Sequence, residues 1–131
     1  GVVLCVSKKY RRGGMQMLSA ELLSFIVGNL IIKNMVDRLR PCQIDKTVSL
    51  IVKIPFDSSF PSGHTLSGIT AAVTLMFIDK RMGIPAIVLA VLIAFSRMYN
   101  FMHFPTDILA GAVLGVVSAV FVNFLFKRAG N

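Results

Sequence analysis

Four apolar runs, each closed by charged residues, restrict the chain to one kind of fold. They cover Met15 to Val36, Thr65 to Ile78, Ile84 to Ser96 and Pro105 to Phe126. The first and last have the length, roughly 20 residues, that a helix needs to cross the hydrocarbon core of a bilayer. The two between them are short for a span. Each can be extended at its far end by residues that face a polar cavity inside a bundle, where ionisable groups need not meet lipid. Between these two lies Asp79-Lys80-Arg81-Met82-Gly83, a charged turn of the length that joins antiparallel helices. Pro105 suits the first turn of the last helix, where a missing amide proton costs nothing. Composition agrees: 55% apolar residues and a mean hydropathy of +0.75 exceed what a soluble domain of this size carries. The expected fold class is all-α, an integral membrane helical bundle with about four transmembrane helices running alternately up and down.

The net charge of +8 would suit nucleic acid or an anionic surface, so where the basic residues lie decides its meaning. Lys8, Lys9, Arg11 and Arg12 form one cluster, Lys80 and Arg81 a second, Lys127 and Arg128 a third. Each sits at the edge of an apolar run, which is the pattern of loops held on the cytoplasmic side, not of a continuous basic face for nucleic acid. Lys33, Arg38, Arg40, Lys46, Lys53 and Arg97 fall on the opposite side. Three of them, Lys33, Arg40 and Arg97, belong to the motifs described below and are functional charge, so the motif face is expected to be extracytoplasmic in a multi-pass protein of the plasma membrane. Cys5 and Cys42 are the only cysteines and this topology separates them, so both are expected as free thiols. Gly111 and Gly115 have the GxxxG spacing, with Ser118 and Ala119 extending the smooth strip. Packing inside the bundle is the expected use of that strip, in preference to dimerisation.

Three segments carry the polar residues that a membrane bundle does not otherwise need. In the first, Lys33-Asn-Met-Val-Asp-Arg-Leu-Arg40-Pro41, the cations Lys33 and Arg40 are seven apart, so two helical turns would put them on one face. A cation pair there repels itself unless an anion with several oxygens lies between, and arginine offers a planar fork suited to phosphate. Taken alone, the segment could equally be snorkelling cations at a helix end. The second is Pro61-Ser62-Gly63-His64 at the start of an apolar helix, where free amides and the positive end of the dipole suit a phosphate oxygen. A simple N-cap is the competing reading. The third is Ser96-Arg97 followed by His103 and Asp107. An aspartate four residues after a histidine can accept a hydrogen bond from one ring nitrogen and leave the other free as a nucleophile.

Together the segments resemble the three signature motifs of the type 2 phosphatidic acid phosphatase superfamily: Lys-x6-Arg-Pro at Lys33 to Pro41, Pro-Ser-Gly-His at Pro61 to His64, and Ser-Arg-x5-His-x3-Asp at Ser96 to Asp107. The order and internal spacing are intact. The resemblance implies that His103 attacks phosphorus, Asp107 holds it, and His64 protonates the leaving oxygen. It implies that Lys33, Arg40, Ser62, Gly63 and Arg97 bind the phosphoryl oxygens, with no metal and no cofactor. The implied activity is hydrolysis of a lipid phosphate or diphosphate, such as undecaprenyl diphosphate or phosphatidylglycerophosphate, through a phosphohistidine, with membrane lipid as the surroundings and no nucleic acid or obligate protein partner. Two positions depart from the pattern. Leu39 stands where many members have proline, and Phe101 where glycine often precedes the nucleophile by two, which would narrow the pocket. Members usually have six spans, so residues 1–131 are expected to be a single phosphatase domain lacking about two N-terminal helices, with Val2 to Val6 the end of one.

Three other functions compete. A catalytically inactive phosphate-binding membrane protein of the same fold would be expected to have lost one of His64, His103 or Asp107. Vanadate-dependent haloperoxidases share the motifs by resemblance but are soluble, and the hydropathy excludes them. Two histidines and one aspartate make a thin ligand set for a divalent metal, which the neighbouring cations would repel.

Overall fold

The computed structural model describes residues 1–47 and 57–130. The apolar piece Val48 to Pro55, expected as a loop or interfacial segment, lies outside the described residues, as does Lys53. Among the described residues every regular element is helical. Two short helices, α1 (Val2–Val6) and α3 (Pro41–Ile44), accompany four longer ones: α2 (Arg11–Met35), α4 (Gly63–Ile78), α5 (Lys80–Tyr99) and α6 (Pro105–Arg128).

Three of these, α2, α5 and α6, are long and apolar enough to cross a membrane. The fourth expected span, α4, has 16 residues and at 1.5 Å each is about 24 Å long, less than the hydrocarbon core. It packs against α2, α5 and α6, and Leu66, Thr70, Ala72 and Thr74 along it are buried. Its threonines are satisfied within the helix: the Thr70 hydroxyl donates to the Leu66 carbonyl and Thr74 to Thr70, both at 2.8 Å. These two buried hydroxyls are therefore both satisfied. Large apolar residues instead face outward, as with Val88, Leu92 and Phe95 of α5, each more than half exposed. A surface of that kind calls for lipid or further protein to cover it.

The small residues of α6 allow close approach. A methyl group added at Gly111 would lie 2.7 Å from the Ser62 carbonyl oxygen, and one at Gly115 2.8 Å from that of Leu66. The GxxxG strip is thus used for α4–α6 packing within the bundle, as expected, with Ser118 and Ala119 buried beside it.

Helix bounds differ from the sequence expectation where caps act. The Asp79 side chain accepts the Arg81 amide at 2.9 Å, so α5 starts at Lys80 and the expected five-residue turn shrinks to Asp79 alone. Within α2, Phe25–Ile32 is wound as a π-helix, a local widening often found beside functional sites. The expectation that Lys33 and Arg40 share a helix face is wrong. The helix ends at Met35, Val36 is extended, and Arg40 is the extended N-cap of α3. Pro41 accounts for the extended Arg40, because a residue before proline is driven out of helical geometry.

Helix directions put Lys8 to Arg12, Lys80, Arg81, Lys127 and Arg128 at one end of the bundle. The Arg12 guanidinium donates there to the Phe126 carbonyl. All three motif segments lie at the other end. Cys5 and Cys42 are both free.

Candidate active site

The loop from Asp57 to Ser62 and the turn from Asn100 to Phe104 carry most of the site, and backbone bonds tie each of them to other segments. The Ser62 amide donates to the Asp107 carbonyl at 3.1 Å, the Ser59 amide to the Arg38 carbonyl at 2.8 Å, and the Cys42 amide to the Phe101 carbonyl at 3.0 Å. The three motif segments, remote in sequence, are thereby brought to one place.

Arg40 lies at the centre, 2% exposed. Its Nη1 donates to the Met102 carbonyl at 3.0 Å and lies 3.3 Å from His103 Nε2. Its Nη2 meets Asp57 Oδ1 at 2.7 Å. Lys33 Nζ reaches the other oxygen of the same carboxylate at 2.6 Å. The two cations expected to share a phosphate do converge, although not along a helix, and a carboxylate holds them together.

His103 is buried, and its Nδ1 lies 2.8 Å from the Ser59 carbonyl oxygen. A carbonyl only accepts, so the proton is on Nδ1 and the lone pair on Nε2, beside Arg40. The expected direct hydrogen bond from His103 to Asp107 is not made: Nδ1 and Oδ2 are 3.8 Å apart. His103 precedes α6 and is not on a helix with Asp107, whose Oδ2 turns back to cap the Phe104 amide at 2.9 Å. Ser59 supplies the link instead, donating from its hydroxyl to Asp107 Oδ2 at 2.5 Å. Arg38 completes the arrangement, with Nη1 at 2.7 Å from both Asp107 Oδ1 and Thr106 Oγ1.

Burial and the Arg40 charge push the His103 pKa down to about 4, against the opposing pull of the Ser59 carbonyl and Asp107. Its imidazole is therefore neutral at pH 7, the state a nucleophile needs. Of the two histidines in this sequence His64→Asn leaves His103, whose ring nitrogens can be followed by 15N NMR of histidine-labelled protein. In the absence of phosphate the expected titration midpoint is near 4, with an Nδ1–H tautomer above it. A midpoint at or above the ordinary value of about 6.5 would contradict this environment.

A cavity of about 860 Å³ opens beside these groups, lined among others by Asn29, Lys33, Asp57, Gly63, His64 and Ser67, with Phe25 and Leu30 on its α2 wall. His64 and Gly63 thus face the cavity from the start of α4. Ser62 is fully buried, its amide taken by Asp107 and its Oγ accepting from Thr65 at 3.0 Å. Arg97 is close enough to lower the His103 pKa further, and its buried Nε has no partner among the described residues. Like His103, Arg40 and Arg97, Phe101 does not line this cavity. Its φ of 53° explains why glycine suits that position: a left-handed conformation costs a side-chain-bearing residue about 1–2 kcal/mol.

Sequence reasoning missed Arg38, Asp57 and Ser59. Arg38 was inside a motif segment but was counted as an ordinary charge of the loop. Asp57 and Ser59 belong to a polar run directly before Phe60-Pro61, and that adjacency was the available signal.

The sequence profile of the PAP2 superfamily matches residues 13–130. The chain belongs to the PAP2 superfamily. Among relatives in it, an undecaprenyl-diphosphatase of Sulfolobus acidocaldarius is 35% identical over 114 residues, covering 86% of this chain and 55% of that protein. The bacitracin transport permease protein BcrC of Bacillus licheniformis is 34% identical over 103 residues, 79% of this chain and 48% of that one. The crystal structure of a transmembrane PAP2-type phosphatidylglycerolphosphate phosphatase from Bacillus subtilis superimposes with a TM-score of 0.77 at 27% identity, covering 98% of this chain and 65% of that one. The chain spans about half the length of the curated relatives it matches. PAP2 membership and the apolar helices together make this a membrane protein.

Proposed function

We propose that this PAP2 protein hydrolyses a lipid phosphate or diphosphate through a phosphohistidine. The observation that carries the reading is the Nε2 lone pair of His103, held beside a buried guanidinium that also binds an anion. Phosphoryl transfer asks a protein mainly for in-line positioning and for positive charge around the transferred group. Lys33 and Arg40 already share an anion, and Arg97 adds a buried donor with no partner among the described residues. The first amides of α4, at Gly63 and His64, have no acceptor within the helix, and both residues line the cavity.

In the proposed sequence, Nε2 of His103 attacks phosphorus and the bond to the leaving oxygen breaks. That oxygen takes a proton from His64. Water, deprotonated by His64, then cleaves the phosphorus–nitrogen bond, releasing phosphate and restoring His103. Asp107 stabilises the positive ring formed in between, directly across 3.8 Å and through Ser59. Phe25 and Leu30, each about half exposed, offer an apolar wall for a lipid chain, and several relatives are named for polyprenyl or glycerolipid phosphatases.

The test is turnover of a panel of lipid monophosphates and diphosphates by detergent-solubilised full-length protein. Phosphate release from at least one of them is expected, and binding without release would favour an inactive phosphate-binding protein. We further propose that the site faces the extracytoplasmic side of the plasma membrane, since eight basic residues cluster at the opposite end. In a Cys5→Ser, Cys42→Ser background, a Lys80→Cys thiol should resist an impermeant reagent added to intact cells. Rapid labelling from outside would reverse the orientation.

A further inference from the structure

In the absence of substrate, the place expected for phosphate holds a side chain. Asp57 presents one carboxylate oxygen to Lys33 at 2.6 Å and the other to Arg40 at 2.7 Å. Partial burial alone would raise the Asp57 pKa, but hydrogen bonds and charge from Lys33 and Arg40 outweigh it and hold it below the usual carboxylate range. The opposite nitrogen of the same guanidinium lies 3.3 Å from His103 Nε2. Anion and nucleophile are therefore one guanidinium width apart, which is where a phosphoryl oxygen must sit if phosphorus is to reach Nε2. Arg40 is 2% and Lys33 11% exposed at the side chain, while Asp57 is 51% exposed. The cations are fixed in the protein, and the carboxylate approaches them from the open side, as a ligand would.

We infer that Asp57 is a resident stand-in for the phosphoryl group, occupying the anion site at rest and yielding it to substrate, so that it sets how strongly charged an anion the site accepts. The inference rests on the phosphoryl-transfer reading above. Without the carboxylate, two cations and the nearby Arg97 would face one another uncompensated, attracting any small anion. With it, an incoming group must exceed one negative charge to gain by the exchange, because both compete for the same donors. A terminal phosphate or diphosphate meets that condition and a phosphodiester, with a single charge, does not. The abundant phosphodiester lipids of a bilayer would thus be turned away from a site that opens beside them.

Direct binding to the detergent-solubilised full chain, followed by 31P NMR, decides the point. The probes are inorganic phosphate and dimethyl phosphate, a monoanion. Asp57→Asn keeps the shape and removes the charge. It should tighten phosphate binding at least about tenfold, the worth of one charge-assisted contact, and should bring dimethyl phosphate into measurable competition, with Asp57→Glu returning both toward wild type. Asp57→Ser carries the same expectation as Asp57→Asn, so whichever variant folds is sufficient. Unchanged or weaker phosphate binding in a folded variant overturns the inference and makes Asp57 a positioning residue for the cations. Because binding is measured without turnover, a wild type that binds phosphate but hydrolyses no lipid would overturn the proposed activity alone, and the ratio of the two affinities would still decide the role of Asp57.

Discussion

Replacing His103 with alanine is expected to abolish turnover of a lipid phosphate and of nitrophenyl phosphate alike, by at least about 10⁴-fold, since in the proposed sequence His103 is the group that attacks phosphorus. His64→Asn should behave differently. General acid catalysis contributes about 10²- to 10⁴-fold and matters most when the leaving group is poor. A lipid alkoxide needs a proton to depart, whereas a nitrophenolate leaves unaided. The His64→Asn protein should therefore lose far more activity on the lipid than on the nitrophenyl ester. Hydrolysis of the intermediate also needs a base, so this variant should accumulate an acid-labile phosphohistidine on His103. The structure supports the division of roles: His103 is buried with its Nε2 lone pair against Arg40, while His64 faces the cavity. Equal losses on both substrates, with no trapped intermediate, would remove the assignment.

Asp107→Asn is expected to lower kcat by about 10²- to 10⁴-fold, the range found when a group that orients or charge-stabilises a catalytic histidine is neutralised, with KM little changed. Asp107 is fully buried and accepts from Arg38, Ser59 and the Phe104 amide. Asparagine preserves the shape but offers one acceptor oxygen where three donors converge, and it cannot stabilise a positively charged phosphorylated ring 3.8 Å away. Because the Ser59 carbonyl and not Asp107 fixes the tautomer of His103, 15N NMR of the variant should still show the Nδ1–H form. Loss of that form together with kcat would mean that Asp107 acts by positioning the ring and not by its charge. Arg38→Ala should cause a smaller loss, since Asp107 keeps two of its three donors and Arg38 is partly exposed. A wild-type rate for Asp107→Asn would show that the buried carboxylate has no part in the chemistry.

The sequence by itself determined the class of fold and put forward part of the cast of the candidate site. Apolar runs of spanning length admit little but helices in a membrane, because every backbone amide must find a partner within its own segment. Spacing within Ser96 to Asp107 and at Pro61 to His64 put both histidines and Asp107 forward as candidates. The small strip at Gly111 and Gly115 was legible for the same reason, since only small residues permit backbones so close. Tertiary structure decided what each residue touches. Lys33 and Arg40 meet at Asp57, although the helix between them is broken before Pro41. His103 is oriented by Ser59, which is 44 residues away in sequence, and Arg38 finds Asp107 across 69. Local periodicity cannot encode such pairs. They arise when the bundle brings a loop and a turn to the same end, where buried charges must be matched and each remaining donor draws in an acceptor from whichever segment the fold places beside it.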